Sequence, residues 1–316
     1  MKILSPYALG ATLYMPATRE DLLDVVFRSK LPELRSLVVC LEDAVAAIDV
    51  ETALINLHVL LSAINDRGGR PADGPLLFVR PRDSGMAAVL NDWPLMKHVD
   101  GVVVPKLTLR NLGAWEQAVT NPELFLMPTL ETADVFNPVA MVELGQALKA
   151  NLNHRIIALR IGGNDLMGGL GLRRNPATTL YSTPMGYVIP MLAGIMGSQG
   201  FALTAPVFEQ LATPNLLGEE LELDIAHGLV GKTAIHPSQI SIIQDTLRVS
   251  LEDLNSAKLI VSEIAPAVFK HNDVMCEPAT HYKWAIKILE RAGWHGVRQP
   301  DAMHGDTPIR LAEAAR

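Results

Sequence analysis

Cysteine is nearly absent from this 316-residue chain, with only Cys40 and Cys276. Two thiols so far apart make no disulfide framework, and no Cys or His spacing resembles a zinc site, so a reducing, cytoplasmic setting is expected. Positive charge is also scarce. The 27 Lys and Arg face 34 Asp and Glu, giving a net charge of −7 with no basic run. That balance leaves no electrostatic footprint for nucleic acid or an anionic membrane surface, and neither is expected as a partner. Nor is there an unbroken apolar run of membrane-spanning length. The stretch "MGYVIPMLAGIMGSQGFAL" is interrupted by Pro190 and several glycines, which argues against a span. The opening "MKILSPYALGATLYMPATRE" has one lysine, an early proline and no sustained apolar core, unlike a signal peptide.

What the chain has in quantity is hydrophobic residues, 49% of the total, enough for one large core. An α/β barrel commonly reaches this size as a single domain. Short Val, Ile and Leu-rich runs alternate with longer segments of helical spacing, as in a parallel sheet covered by helices. The strand candidates are "GATLYM", "SLVVCL", "LLFVR", "GVVVP", "LFLMPTL", "IIALRI", "FALTA" and "TAIH". Between them, "DVETALINLHVLLSAI" starts at Asp49, a potential cap, and "FNPVAMVELGQALKANL" has Asn137 as cap before Pro138. Eight alternations predict a (β/α)8 TIM barrel over residues 1–248. Residues 249–316, including "LEDLNSAKLIVSEIAPAVFK" and "YKWAIKILERAGW", exceed what a barrel needs and read as a C-terminal helical extension.

Chemistry-bearing side chains follow the strands. Glu42 and Asp43 come after the second, Arg80 closes the third, and Lys106 follows the fourth. Glu131 follows the fifth, Asp165 the sixth after Gly162 and Gly163, and His236 ends the eighth. In a barrel these positions converge on one face, where catalytic residues are drawn from several strand ends. Asp165 taken alone reads equally as a helix cap or a ligand. Lys106 reads equally as a solvated lysine or as an attractor of anionic substrate, and His236 as a histidine bonded to backbone.

In order along the chain, "CLEDAV", "FVRPR", "GVVVPKL", "PTLETA", "GGNDLMGGLGL" and "GLVGKTAIHPSQI" resemble the motifs of the citrate lyase β-subunit and HpcH/HpaI aldolase family. The resemblance implies a barrel lyase that makes or breaks a carbon–carbon bond beside a carboxylate or keto group through a Mg2+-bound enolate. It places Glu131 and Asp165 as the metal pair. It gives Arg80 to substrate binding and enolate stabilisation, with Glu42 and Asp43 supporting that catalytic centre. Lys106, Gly162 and Gly163 would border the substrate, the glycines permitting close approach. The substrate would be a small-molecule keto acid or acyl-CoA. The family also implies a homo-oligomer, trimer or hexamer, whose C-terminal arm packs on a neighbour.

Some positions depart from that pattern. Cys40 stands where many relatives carry an acid, "LTAPVFE" lacks their Asp after the seventh strand, and of the basic residues in their N-terminal motif only Arg19 remains, which weakens the case for CoA. Asp273, Cys276 and Glu277 compete for the position of a C-terminal acid or base. With "GLRRNPATTLYSTPMGYVIP", these departures are similar to a branch described as TIM-barrel carbon–carbon bond lyases encoded near tellurium-resistance genes. Two other readings remain open: a phosphoenolpyruvate-type transferase on the same barrel, and a non-catalytic protein that keeps its metal and ligand contacts.

Overall fold

In the computed structural model, which describes residues 4–298, each apolar run becomes a parallel strand. They are β1 (Ala11–Pro16), β2 (Ser36–Cys40), β3 (Leu76–Arg80), β4 (Gly101–Val104), β5 (Phe125–Leu130), β6 (Leu159–Ile161), β7 (Leu203–Thr204) and β8 (Lys232–Ala234). Neighbours in sequence are neighbours in the sheet, and β1 pairs β8 with Thr12 opposite Thr233. A parallel bridge between Ala205 and Lys232 joins β7 to β8 and closes the barrel. The last three strands are shorter than their apolar runs. "IIALRI" enters the ladder fully only at Leu159, after an isolated bridge from Ile156 to Leu126.

The covering helices are α1 (Leu22–Val26), α2 (Val50–Asp66), α3 (Ser84–Asn91), α4 (Leu112–Ala118) and α5 (Pro138–Asn151). After β6 come a short α6 (Gly163–Gly169) and then α7 (Met185–Ser198), followed by α8 (Pro214–Ala226) and α9 (Ser238–Thr246). Asn137 caps α5 by accepting from the Val139 N–H, with Pro138 in the first turn. Asp49 sits at the N-cap of α2 but makes no side-chain cap bond. By length and hydropathy alone α2 would cross a membrane. It is amphipathic instead, and its Ala53, Leu57, Leu60, Leu61 and Ile64 join the core between strands and helices. Pro190 lies within α7.

The period-2 alternation of the strands sorts their side chains into two cores. One row packs outward under the helices. The other fills the barrel: Val38, Phe78, Val103, Phe125, Met127 and Ala158 form its apolar plug. One step further along the same inward rows stand Tyr14, Cys40, Arg80, Thr129, Arg160 and Thr233, which line a cavity. The barrel interior is therefore packed for most of its depth and opens only at the C-terminal ends of its strands.

The chain divides after Leu247 into two compact units. The second has its own small core, in which α10 (Leu251–Ile260) and α11 (Pro278–His295) bury Ala257, Ile260, Cys276, Ala285 and Ile288. A hairpin of β9 (Phe269–His271) and β10 (Val274–Cys276) turns on Asn272 and Asp273, with φ of 47° and 58°. Two successive left-handed residues make the type I′ turn that suits the strand twist, a conformation Asn and Asp tolerate.

Candidate active site

The cavity at the C-terminal mouth of the barrel has a volume of about 700 Å³ and is bordered by Asp43, Arg80, Glu131, Gly162, Gly163 and Asp165. Six of the predicted positions thus meet at one place. Glu42 and Lys106 stand behind them.

Arg80 is the hub. Its Nη2 lies 2.9 Å from Glu42, 3.1 Å from Glu131 and 3.4 Å from Asp43. Burial alone would pull the guanidinium down, but Tyr14, Glu131 and Glu42 hold it above its ordinary value. The ion pair with Glu42 and Asp43 and the approach to the cavity are therefore both present. Lys106 reaches the same acids, with Nζ 2.5 Å from Glu42 and 3.3 Å from Asp43. Its backbone has a φ of 51°, rare outside glycine, and its N–H donates to Glu131 Oε1 at 2.8 Å. The ammonium expected to border substrate is paired with the two acids. Glu42 is 4% exposed and does not border the cavity; it positions Arg80 and Lys106. Asp43 does border it. Burial raises Asp43, but Glu42, Arg80 and Lys106 outweigh this and hold it below the usual carboxylate range.

Glu131 Oε1 accepts from Arg80 and from the Lys106 N–H, while Oε2 lies against Gly162. A Cβ on residue 162 would come within 2.4 Å of the Glu131 Cβ and 2.5 Å of Oε2. Gly162 therefore makes room for the glutamate itself, while it also borders the cavity. A Cβ on residue 163 would meet Pro206 at 2.8 Å, so that glycine is required by packing as well. Asp165 lies in the first turn of α6, whose N-cap is Gly162 and has no side-chain cap. Asp165 is thus not the N-cap residue of α6. Burial raises Glu131 to about 7, with Asp165 pushing the same way against Arg80 and the Lys106 N–H. Burial and the neighbouring Asp43 raise Asp165. Two carboxylates that are costly to ionise beside one cavity form a site that gains from a cation. Among the described residues no three His, Cys, Asp or Glu gather as a closed cage. Two carboxylates and an open face suit Mg2+, which takes few protein oxygens and keeps water or substrate for the rest.

His236 is exposed, and its Nδ1 accepts from the Ser238 N–H and meets the Ser238 hydroxyl at 2.8 Å at the start of α9. It bonds to backbone as expected. Asp273 pairs with Lys270 at the hairpin, Cys276 is buried in the second unit, and Glu277 is the N-cap residue of α11. On the seventh-strand side the cavity wall is Val207.

Sequence reasoning missed two groups. Arg160 and Tyr14 line the cavity, and the signal was parity: residue 160 precedes Gly162 by two and so shares its face. Lys232, from "GKTAIHP", points the other way. It is fully buried, 2.9 Å from Glu220 and 2.7 Å from Asp224 of α8, and Arg174 pairs with the same Glu220. This buried charge network ties β8 to α8 and accounts for a lysine inside an otherwise apolar motif.

The family described as C-C bond lyase of the TIM-barrel fold matches residues 3–297. No curated protein matches the sequence. Among solved structures, the fold is similar to CitE of Mycobacterium tuberculosis in complex with magnesium, acetoacetate and coenzyme A. That pair is 23% identical over 91% of this chain and 99% of that one, with a TM-score of 0.64. A citrate lyase of Burkholderia xenovorans is 17% identical, covering 94% and 97% of the two chains, with a TM-score of 0.69. RipC of Yersinia pestis is 18% identical over 77% and 96%, with a TM-score of 0.57.

Proposed function

The chain belongs to the C-C bond lyases of the TIM-barrel fold, and from that premise we propose that it cleaves or forms a carbon–carbon bond in a 2-keto acid or related carboxylate, with Mg2+ held by Glu131 and Asp165. The observation that carries the reading is this carboxylate pair, disfavoured as two anions by burial and by neighbouring acids, beside a cavity that also presents Arg80. Mg2+ on that pair supplies Lewis-acid polarisation of a substrate carbonyl.

The protein's own groups do the rest. Arg80, fixed by Glu42, Asp43 and Glu131, directs its guanidinium at the substrate oxygen that gains charge as the bond breaks and an enolate forms. Preorganised donors of this kind act strongly because they need no reorganisation during the reaction. Glu42 holds Arg80 in place, and the Lys106 ammonium offsets the charge of Glu42 and Asp43 beside it. The apolar plug below excludes water from that side of the reacting carbons. The magnesium, oxaloacetate, pyruvate and acetoacetate bound in the M. tuberculosis relatives support the choice of substrate class. The two free, buried cysteines fit a cytoplasmic enzyme. A homo-oligomer, trimer or hexamer, is proposed, to be read by light scattering.

The direct test is solvent deuterium exchange at the carbon next to the carbonyl of pyruvate, 2-oxobutyrate and oxaloacetate, followed by NMR. Enolate formation predicts Mg2+-dependent exchange that EDTA removes. Binding of Mg2+ and keto acid without exchange or cleavage would favour the non-catalytic reading, for which Val207 in place of an acid on the seventh-strand side is the motive.

A further inference from the structure

The proposed chemistry uses Arg80 and leaves a second cavity guanidinium unexplained. Arg160 on β6 is 2% exposed, yet it lines the cavity. Its Nη2 donates to the Thr233 hydroxyl and its guanidinium carbon sits 4.9 Å from the centre of the Tyr14 ring. Nη1 has no protein partner. Other buried guanidiniums in the barrel unit are matched differently. Arg80 and Arg174 contact carboxylates, and Arg155 donates to the backbone carbonyls of Val119, Asn121 and Leu124. Among the described residues, no carboxylate lies within ion-pair distance of Arg160. A guanidinium stays protonated in proteins, so the wall of this cavity carries a buried positive charge that Glu131 offsets only from beyond contact distance and that no contacting carboxylate pairs.

A second donor stands next to it. Thr129 on β5 is paired with Arg160 across the strands, lines the same cavity, and its buried hydroxyl also lacks a partner. We infer that Arg160 Nη1 and the Thr129 hydroxyl form an anion subsite in the buried wall of the cavity, which takes a second carboxylate of the substrate and selects short dicarboxylic acids over monocarboxylic ones. One guanidinium supplies one compensating charge and a neutral hydroxyl completes the pair, which suits a carboxylate better than a dianionic phosphate. Charge-assisted bonds in a water-poor site are strong and directional. Tyr14, its ring against the guanidinium, keeps Arg160 extended along the wall. This inference rests on the reading that the keto-acid end is held by Mg2+ at Glu131 and Asp165.

The test is calorimetric titration of the full-length protein with Mg2+ and matched pairs of ligands: oxaloacetate against 2-oxobutyrate, and 2-oxoglutarate against 2-oxovalerate. The wild type should bind the better dicarboxylate at least about tenfold more tightly than its partner, the discrimination expected of a charged hydrogen bond. Arg160→Gln should abolish that preference and leave the affinity for Mg2+ and the monocarboxylic keto acid within about threefold, while Arg160→Lys should retain part of it. If Arg160→Gln does not fold, Thr129→Val provides the reading, with a preference reduced about threefold or more. No preference in the wild type, or a preference unchanged in the variants, overturns the subsite. Failure of the metal reading looks different: every ligand would then bind equally well in EDTA and in Mg2+.

Discussion

With Mg2+ held as proposed, the Glu131 carboxyl makes its binding a pH-dependent event, and the size of the effect follows from the surroundings of that carboxyl. Burial raises it from an ordinary 4.5 to about 7 in the metal-free protein. A proton must therefore leave before the carboxylate can take a cation. With a pKa near 7, the apparent Mg2+ affinity should rise close to tenfold per pH unit below about pH 6.5, level off above about pH 7.5, and gain roughly tenfold between pH 6 and 8. Isothermal titration in buffers of different ionisation enthalpy reads the linked protons directly. Release should be about 0.9 proton per Mg2+ at pH 6 and about 0.1 at pH 8, with more at the low end where the raised Asp165 contributes. The same shift has a stability consequence of the opposite sign to the usual acid. The folded state favours the protonated form, so its contribution is complete below about pH 4.5 and is lost as the pH rises to about 7. The loss is at most about 3.5 kcal/mol, from roughly 1.4 kcal/mol per pKa unit. Mg2+ should recover it at pH 8. Affinity flat from about pH 6 to 8 with no proton release would refute the reasoning, because Glu131 would then be ionised already or absent from the site.

On a substrate that turns over, Arg80→Lys should lower kcat about 10² to 10³-fold, since an ammonium cannot both meet Glu42 and Glu131, as Nη2 does, and keep the guanidinium's remaining N–H groups for the proposed substrate oxygen; steady-state kinetics reads it. Gly162→Ala should cost about 1 to 3 kcal/mol in urea melts and weaken Mg2+ binding, because the new methyl displaces Glu131. Gly168→Ala, with open space at that position, is the control and should do neither. Lys232→Met should lower stability by about 3 to 5 kcal/mol by leaving buried Asp224 without a cation, with the Tyr181 hydroxyl as its remaining partner, and by removing the Lys232 contact of Glu220. The melt should be accompanied by little change in Mg2+ affinity at temperatures where the variant is folded.

The barrel was legible because its signal is repeated: eight short apolar runs alternating with segments of helical spacing leave few other packings. Strand ends were less legible, since the short β6 and β7 are set by ladder partners rather than by local composition. That Glu131, Asp165 and Arg80 border one cavity could be read from motifs that sit where a barrel presents its chemistry. Lys106 and Gly162 were harder. Their roles depend on which neighbour the folded chain brings close, and sequence shows neither the Glu42 carboxylate waiting for the ammonium nor the Glu131 side chain above the glycine. Arg160 and Lys232 were missed for a related reason. Each lies inside an apolar strand, where only the inward or outward parity says that one charge faces the cavity and the other faces α8.

The central claim is that Glu131 and Asp165 together hold one divalent cation, and Mn2+ titration followed by EPR tests it most directly. Free Mn2+ gives a sharp signal that binding removes, so the wild type should show one site per chain, displaced by Mg2+. Glu131→Gln and Asp165→Asn should each lose that site while their thermal melts stay those of a folded protein. A wild type that binds no Mn2+, or a site that persists unchanged in both variants, would contradict the account.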